Sequence, residues 1–148
     1  MAAGTWVVHD KAKEYEGDGT IDYDADTFKM ALYLSTSNVA TTSVDALASA
    51  TNQVATAFGY TAGGVTVAAT WVESAGTVTF DVADAVWNAS GGDITARFAV
   101  IYDDTVAAPV AKPIIAHCLL DTTPADVTAT DGNPLTIQIA ATGVFTKT

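Results

Sequence analysis

Two histidines, one cysteine and a run of aspartates are the side chains in this sequence with chemistry to offer. His117 and Cys118 are adjacent in the apolar run Ile114-Ile115-Ala116-His117-Cys118-Leu119-Leu120. A nucleophilic thiol needs an imidazole within hydrogen-bond reach. Neighbours on a strand point to opposite faces, so these two do not make a Cys–His pair. His117 with a serine and Asp121 is a second arrangement, but no nucleophile-elbow sequence accompanies it. A packed or interface histidine is the better reading. His9 stands at the other end of the chain, and no zinc-ligand spacing is present. The Gly59–Gly64 segment lacks the Lys and the helix of a phosphate loop. As the sole cysteine, Cys118 excludes an intramolecular disulfide and reads as a buried, inert thiol. Asn88-Ala89-Ser90 matches a glycosylation acceptor by chance. No catalytic, cofactor or metal residue is assigned, and an enzyme is not expected.

The segment Asp18-Gly19-Thr20-Ile21-Asp22-Tyr23-Asp24-Ala25-Asp26 invites a calcium reading, because hard cations take carboxylate oxygens at alternate positions. It lacks the glycine and the distal Glu of an EF-hand loop. Alternating Asp also marks a solvated edge, where charge discourages strand pairing. A structural calcium near Asp22–Asp26 and a solvated edge both stay open. Of the tryptophans, Trp71 is in register with Val65, Val67 and Ala69 and reads as core. Trp87, followed by Asn88 and a Gly-Gly turn, reads as a candidate for exposure and hence for sugar stacking. Trp6-Val7-Val8 is an apolar cluster at a chain end. It suits either an arm (residues 1–8) docked on a neighbouring subunit or capsid, or an edge strand of its own sheet. On the first reading, removing residues 1–8 weakens assembly and leaves the fold intact.

With 17 acidic and six basic residues, the formal net charge is −11. The scattered Lys and Arg offer no patch for phosphates, so neither nucleic acid nor an anionic membrane is expected as partner. Nor does any stretch approach the roughly 18 apolar residues of a membrane span. The first residues do not follow a secretory pattern, so synthesis without a leader is expected. Hydrophobic residues make up 49% and charged residues 16%, so the polar surface must come largely from Thr, Ser and Asn.

The elements that must position these residues are strands. In Thr128–Ile139 a polar turn feeds an alternating segment, with Leu135, Ile137 and Ile139 on one face and Thr136 and Gln138 on the other. The same period of two predicts strands over about 27–34, 65–72, 77–82, 94–102, 114–120, 135–140 and 143–146, with 121–133 a loop. Apolar residues on both faces of 114–120 predict a central strand covered on each side. Asp10 as N-cap and Gly17 as stop predict a short helix between them, and Ser43 is placed to cap a second over 44–50. The expected fold is all-β: one domain, 1–148, an antiparallel two-sheet sandwich with one or two short helical turns. Its expected core comprises Phe28, Leu32, Val67, Trp71, Phe80, Phe98, Val100, Ile114, Leu120, Ile137 and Ile139.

Four segments carry a resemblance: Gly17-Asp18-Gly19-Thr20-Ile21-Asp22, Thr27-Phe28-Lys29-Met30-Ala31-Leu32, Ala99-Val100-Ile101-Tyr102-Asp103-Asp104, and Cys118-Leu119-Leu120-Asp121-Thr122-Thr123-Pro124-Ala125-Asp126. The chain resembles small structural proteins of tailed bacteriophages and prophages, most of all capsid decoration (cement) proteins. The resemblance implies a jelly-roll-like domain on the exterior of an expanded shell, made in the host cytoplasm. It would bind the major capsid protein and clamp neighbouring subunits as a dimer or trimer. The alternative is a tail or fibre component that binds host surface glycan.

Overall fold

The computed structural model describes residues 3–148. The chain forms an all-β antiparallel sandwich with one helix. In order the elements are β1 (Val7–Val8), α1 (Asp10–Asp18), β2 (Phe28–Tyr33), β3 (Val65–Val67), β4 (Ala69–Ser74), β5 (Thr77–Val82), β6 (Ala85–Asn88), β7 (Ile94–Ala96), β8 (Phe98–Asp103), β9 (Ile114–Leu119), β10 (Val127–Ala129), β11 (Pro134–Ile137) and β12 (Phe145–Lys147). One layer is a five-stranded sheet in the order β1-β9-β8-β2-β3. Opposite it lie three small sheets: β12-β5-β4, β11-β6 and β10-β7.

The middle strands of the large sheet are apolar on both sides because both sides are covered. Phe28, Met30, Leu32, Ala99, Ile101, Ile115 and Ala116 face the main core, where they meet Phe80, Trp87, Ile94, Leu135 and Ile137 of the small sheets. Ala31, Tyr33, Val100, Tyr102 and Ile114 face the other way and are covered by Val39, Val44, Leu47 and Ala50. β9 is thus an interior strand with both faces covered, as its composition predicted. Gly64 makes room for this packing: at φ +74° a Cβ there would stand 1.8 Å from the Met30 carbonyl oxygen, so only glycine fits.

At two points the chain passes from one layer to the other. β3 pairs with β2 in the large sheet, and after the single residue Ala68 the chain continues as β4 in a small sheet. The predicted strand 94–102 likewise divides at Arg97, with β7 paired to β10 and β8 to β2 and β9. The break shifts the alternation by one residue. Ile94 and Ala96 share the main core with Ala99 and Ile101, whereas Phe98, Val100 and Tyr102 lie on the second face. Unbroken alternation over 94–102 would put Ile94, Ala96, Phe98, Val100 and Tyr102 together, and a one-residue slip moves every side chain after it to the other face.

Other expectations change too. The helix begins after His9 and ends at Gly19, which takes the left-handed conformation, instead of running from an Asp10 cap to Gly17. In place of a helix over 44–50 there is a single 3₁₀ turn, Leu47–Ser49. Its surroundings bond to the chain before β9 (Leu47 N–H to Lys112 O, 3.0 Å; Ile114 N–H to Asp45 O, 3.0 Å), so the backbone groups a helix needs are committed elsewhere. β6 and β10, the latter within the expected loop 121–133, are too short for their alternation to register. Of the expected core, Trp71, Phe98 and Ile139 are only partly buried.

Phe80 is fully buried, with ring centroids at 4.6 Å from Tyr23, 5.2 Å from Phe28 and 5.4 Å from Phe145. Phe80→Ala should destabilise the fold by about 3–5 kcal/mol. Half-buried Phe98→Ala should lose less than half as much, as measured by urea unfolding.

Candidate functional site

The two histidines, at opposite ends of the chain, meet in the interior. β1 pairs with β9 so that Val7 lies opposite His117, and the next turn of chain carries His9 beside it. His9 Nδ1 is 2.7 Å from the Val44 carbonyl oxygen, and its Nε2 is 2.9 Å from His117 Nδ1. A carbonyl oxygen only accepts, so His9 carries its proton on Nδ1. Its bare Nε2 then accepts from the Nδ1–H of His117, and both tautomers are fixed. Burial holds His9 below the usual histidine range. Burial, and then the neighbouring His9 ring, push His117 down to about 4. This neutral relay joins β9, the start of α1 and the 39–44 loop. It has no nucleophile: the Cys118 thiol donates to Gly4 O at 3.1 Å and burial raises it to about 11. Asp121 accepts from the backbone N–H and hydroxyl of Thr123. No spacing rule could have paired His9 with His117.

The acidic segment is a set of carboxylate-capped turns. Asp18 Oδ1 accepts from Thr20 N–H, Asp22 Oδ1 from Asp24 and Ala25 N–H, and Asp26 Oδ2 from Asp22 N–H. These are the side chain-to-backbone bonds typical of Asp in turns. Among the described residues no three His, Cys, Asp or Glu side chains are grouped to hold a metal ion. The segment seats Tyr23, which touches Phe28, Trp71, Phe80 and Phe145. Trp87, expected as a candidate for exposure, is buried at 3% because β6 pairs with β11 and turns its ring inward against Tyr60. It offers no sugar platform.

The N-terminal cluster has become part of its own sheet. Gly4 N–H donates to Leu119 O at 2.8 Å, Val7 and Val8 pair with β9, and Trp6 and Val8 pack against the main core. Val7 is 39% exposed. Of the two readings of residues 1–8, the described part forms the edge strand, while Met1 and Ala2 lie outside the described residues. Trp6 lines a groove of about 750 Å³ with Leu120, Val127, Leu135, Ile137 and Val144. Among the described residues no helix is long and apolar enough to cross a membrane.

A more extended feature is the outward side of the small sheets. Thr70 and Val72 of β4, Thr79 of β5, Val86 of β6, Thr128 of β10 and Thr136 of β11 all alternate with core residues and therefore face away from the core. Val72 is 57% and Val86 48% exposed. Asp81, opposite Thr70, is the one charged residue among those facing outward from these strands. A search of protein-family models, of curated proteins and of solved structures finds no match to this chain.

Two outcomes are expected. Removing residues 1–8 takes away Trp6 packing and the backbone bonds to β9, so it should lower stability by more than about 2 kcal/mol in urea unfolding. It therefore cannot serve as a clean test of assembly. Both histidines have a folded pKa below the ordinary value, so their stabilisation is complete above about 6.5 and is lost as pH falls, for His117 through about 4. Unfolding at pH 7 and pH 4 should differ by on the order of 3 kcal/mol from His117 alone. His117→Asn should flatten that acid limb.

Proposed function

We propose that this protein is a structural component of a tailed-phage virion, a decoration protein that binds the exterior of the capsid shell and stabilises it. The observation that carries the reading is the distribution of charge. A chain of net charge −11 leaves the outward side of its small sheets almost free of charge and lined by Thr and Val. Such a side meets a partner protein without the loss of hydration that burying carboxylates entails. The sequence resemblance to cement proteins supplies the partner, the major capsid protein. The acidity favours the outer surface over the genome-facing one, where phosphates would repel it.

A domain that binds the assembled shell, and not its separated subunits, stabilises the shell by mass action. A symmetric array of capsid subunits presents the same contact many times, which suits a rigid β-domain acting as a dimer or trimer. The jelly-roll-like relationship and the location on the virion exterior belong to this proposal.

The test is to mix the purified protein with expanded capsids that lack it, following occupancy and disruption temperature together. Saturation near the copy number of the capsid protein with a raised temperature is the expected outcome. Val72→Asp and Val86→Asp, on exposed positions, should weaken occupancy at least tenfold while leaving the circular dichroism spectrum unchanged. Binding to tails or to host cells with capsids ignored would overturn the reading in favour of a tail or fibre role.

A further inference from the structure

A buried carboxyl lies where the segment after α1 meets the end of β8. Asp103, the last residue of β8, is fully buried at 0% exposure. Its Oδ1 accepts from the backbone N–H groups of Thr105 (2.8 Å) and Val106 (3.2 Å). Its Oδ2 is also buried but meets no donor. The group within hydrogen-bond reach is another carboxyl, that of Asp26, whose Oδ2 already accepts from Asp22 N–H at 2.8 Å.

The surrounding charges do not relieve this contact. Lys29 of β2 and Lys112 of the loop before β9 both pair with Asp104, at 3.2 Å and 2.8 Å. Glu16 of α1 pairs with Lys147 of β12. The Tyr23 hydroxyl is buried without a partner and is influenced by Glu16 and Asp103. Two neighbouring carboxyls with no cation between them disfavour being ionised together, whereas one proton lets one donate to the other.

We propose that Asp26 and Asp103 form a proton-dependent latch, in which one shared proton holds the 20–27 segment against the end of β8 and its loss to solvent releases that segment. The segment has few other ties to this end of the sheet: Thr27 N–H donates to Thr105 Oγ1, and Asp104 N–H to Thr27 O, each at 2.8 Å. Release would lift Tyr23 from Phe28, Trp71, Phe80 and Phe145 and open the aromatic end of the core. Burial pushes Asp103 up to about 7, with the Thr105 N–H opposing and Asp26 adding to the rise. The folded pKa thus lies above the ordinary aspartate value near 4. The latch holds fully below that value and is lost as pH rises through about 7.

The experiment is amide hydrogen exchange on the full chain from pH 5 to pH 9, with tryptophan fluorescence alongside. After correction for the intrinsic pH dependence of exchange, opening of residues 20–27 should rise by up to about tenfold per pH unit from pH 5 to about 7, as release of one proton requires, and level off above 7. Exchange in β8 and β9 should keep its intrinsic dependence. Asp103→Asn supplies an N–H in place of the proton and should remove the extra dependence. Asp26→Asn, at a half-buried position, does the same from the other side and decides the matter if the first variant does not fold. Protection of 20–27 that follows only the intrinsic dependence, or an unchanged slope in a folded variant, would overturn the latch.

Discussion

The structure depends on a sheet that has no face left for water. β2, β8 and β9 carry large apolar side chains on both sides, with Phe28, Met30 and Ile101 turned one way and Tyr33, Val100 and Ile114 the other. Burying one side would leave the second exposed, at roughly 25 cal/mol per Å² of apolar surface. The chain therefore supplies two covers. The small sheets form one, and the 34–52 segment with its 3₁₀ turn forms the other. The layer crossings at Ala68 and Arg97 follow, because the strands that build the first cover are continuations of strands in the large sheet.

The same double cover explains the polar groups inside. Where β9 meets the start of α1, a charged imidazole would face an apolar surround, and the pair His9–His117 meets it by staying neutral and bonding to itself and to Val44 O. At the end of β8, Asp103 is held by two backbone N–H groups on one oxygen and by Asp26 near the other. Both sites join β-strands to the segments flanking α1, which is one reason these segments are fixed in place. They also respond to pH in opposite senses, since burial disfavours the charged form of an acid and of a base alike.

Outside, charge is arranged by exclusion. The ion pairs gather around α1, the 103–112 loop and Arg97, and the turn carboxylates cap their own backbone. What remains on the outward side of the small sheets is mostly Thr and Val, with Asp81 the one charge. Thr95 and Thr128 even bond to each other across β7 and β10 at 2.9 Å. A strand face of this kind is hydrated through its hydroxyls yet costs less to dehydrate than one carrying carboxylates.

Strand identity was legible in the residues themselves. Phe28–Tyr33, Thr77–Val82 and Ile114–Leu119 emerge where period two or a doubly apolar run predicts them, since those patterns state directly how many faces are buried. The tight turn between β4 and β5 is made by Ala75 and Gly76, both at positive φ. Phase was not legible. Nothing local marks Arg97 as the place where alternation slips, because the slip is set by which partner strands flank each half. The burial of Trp87 has the same origin: its neighbours in sequence suggest exposure, and pairing with β11 overrides them. The candidate sites lay still further from reach. His9–His117 and Asp26–Asp103 are contacts between residues distant in the chain, made by sheet register and chain packing, and one sequence holds no record of distance. The sequence determined where the longer strands run and how greasy their faces are; tertiary structure alone decided which faces meet, and with them which polar groups are brought together inside.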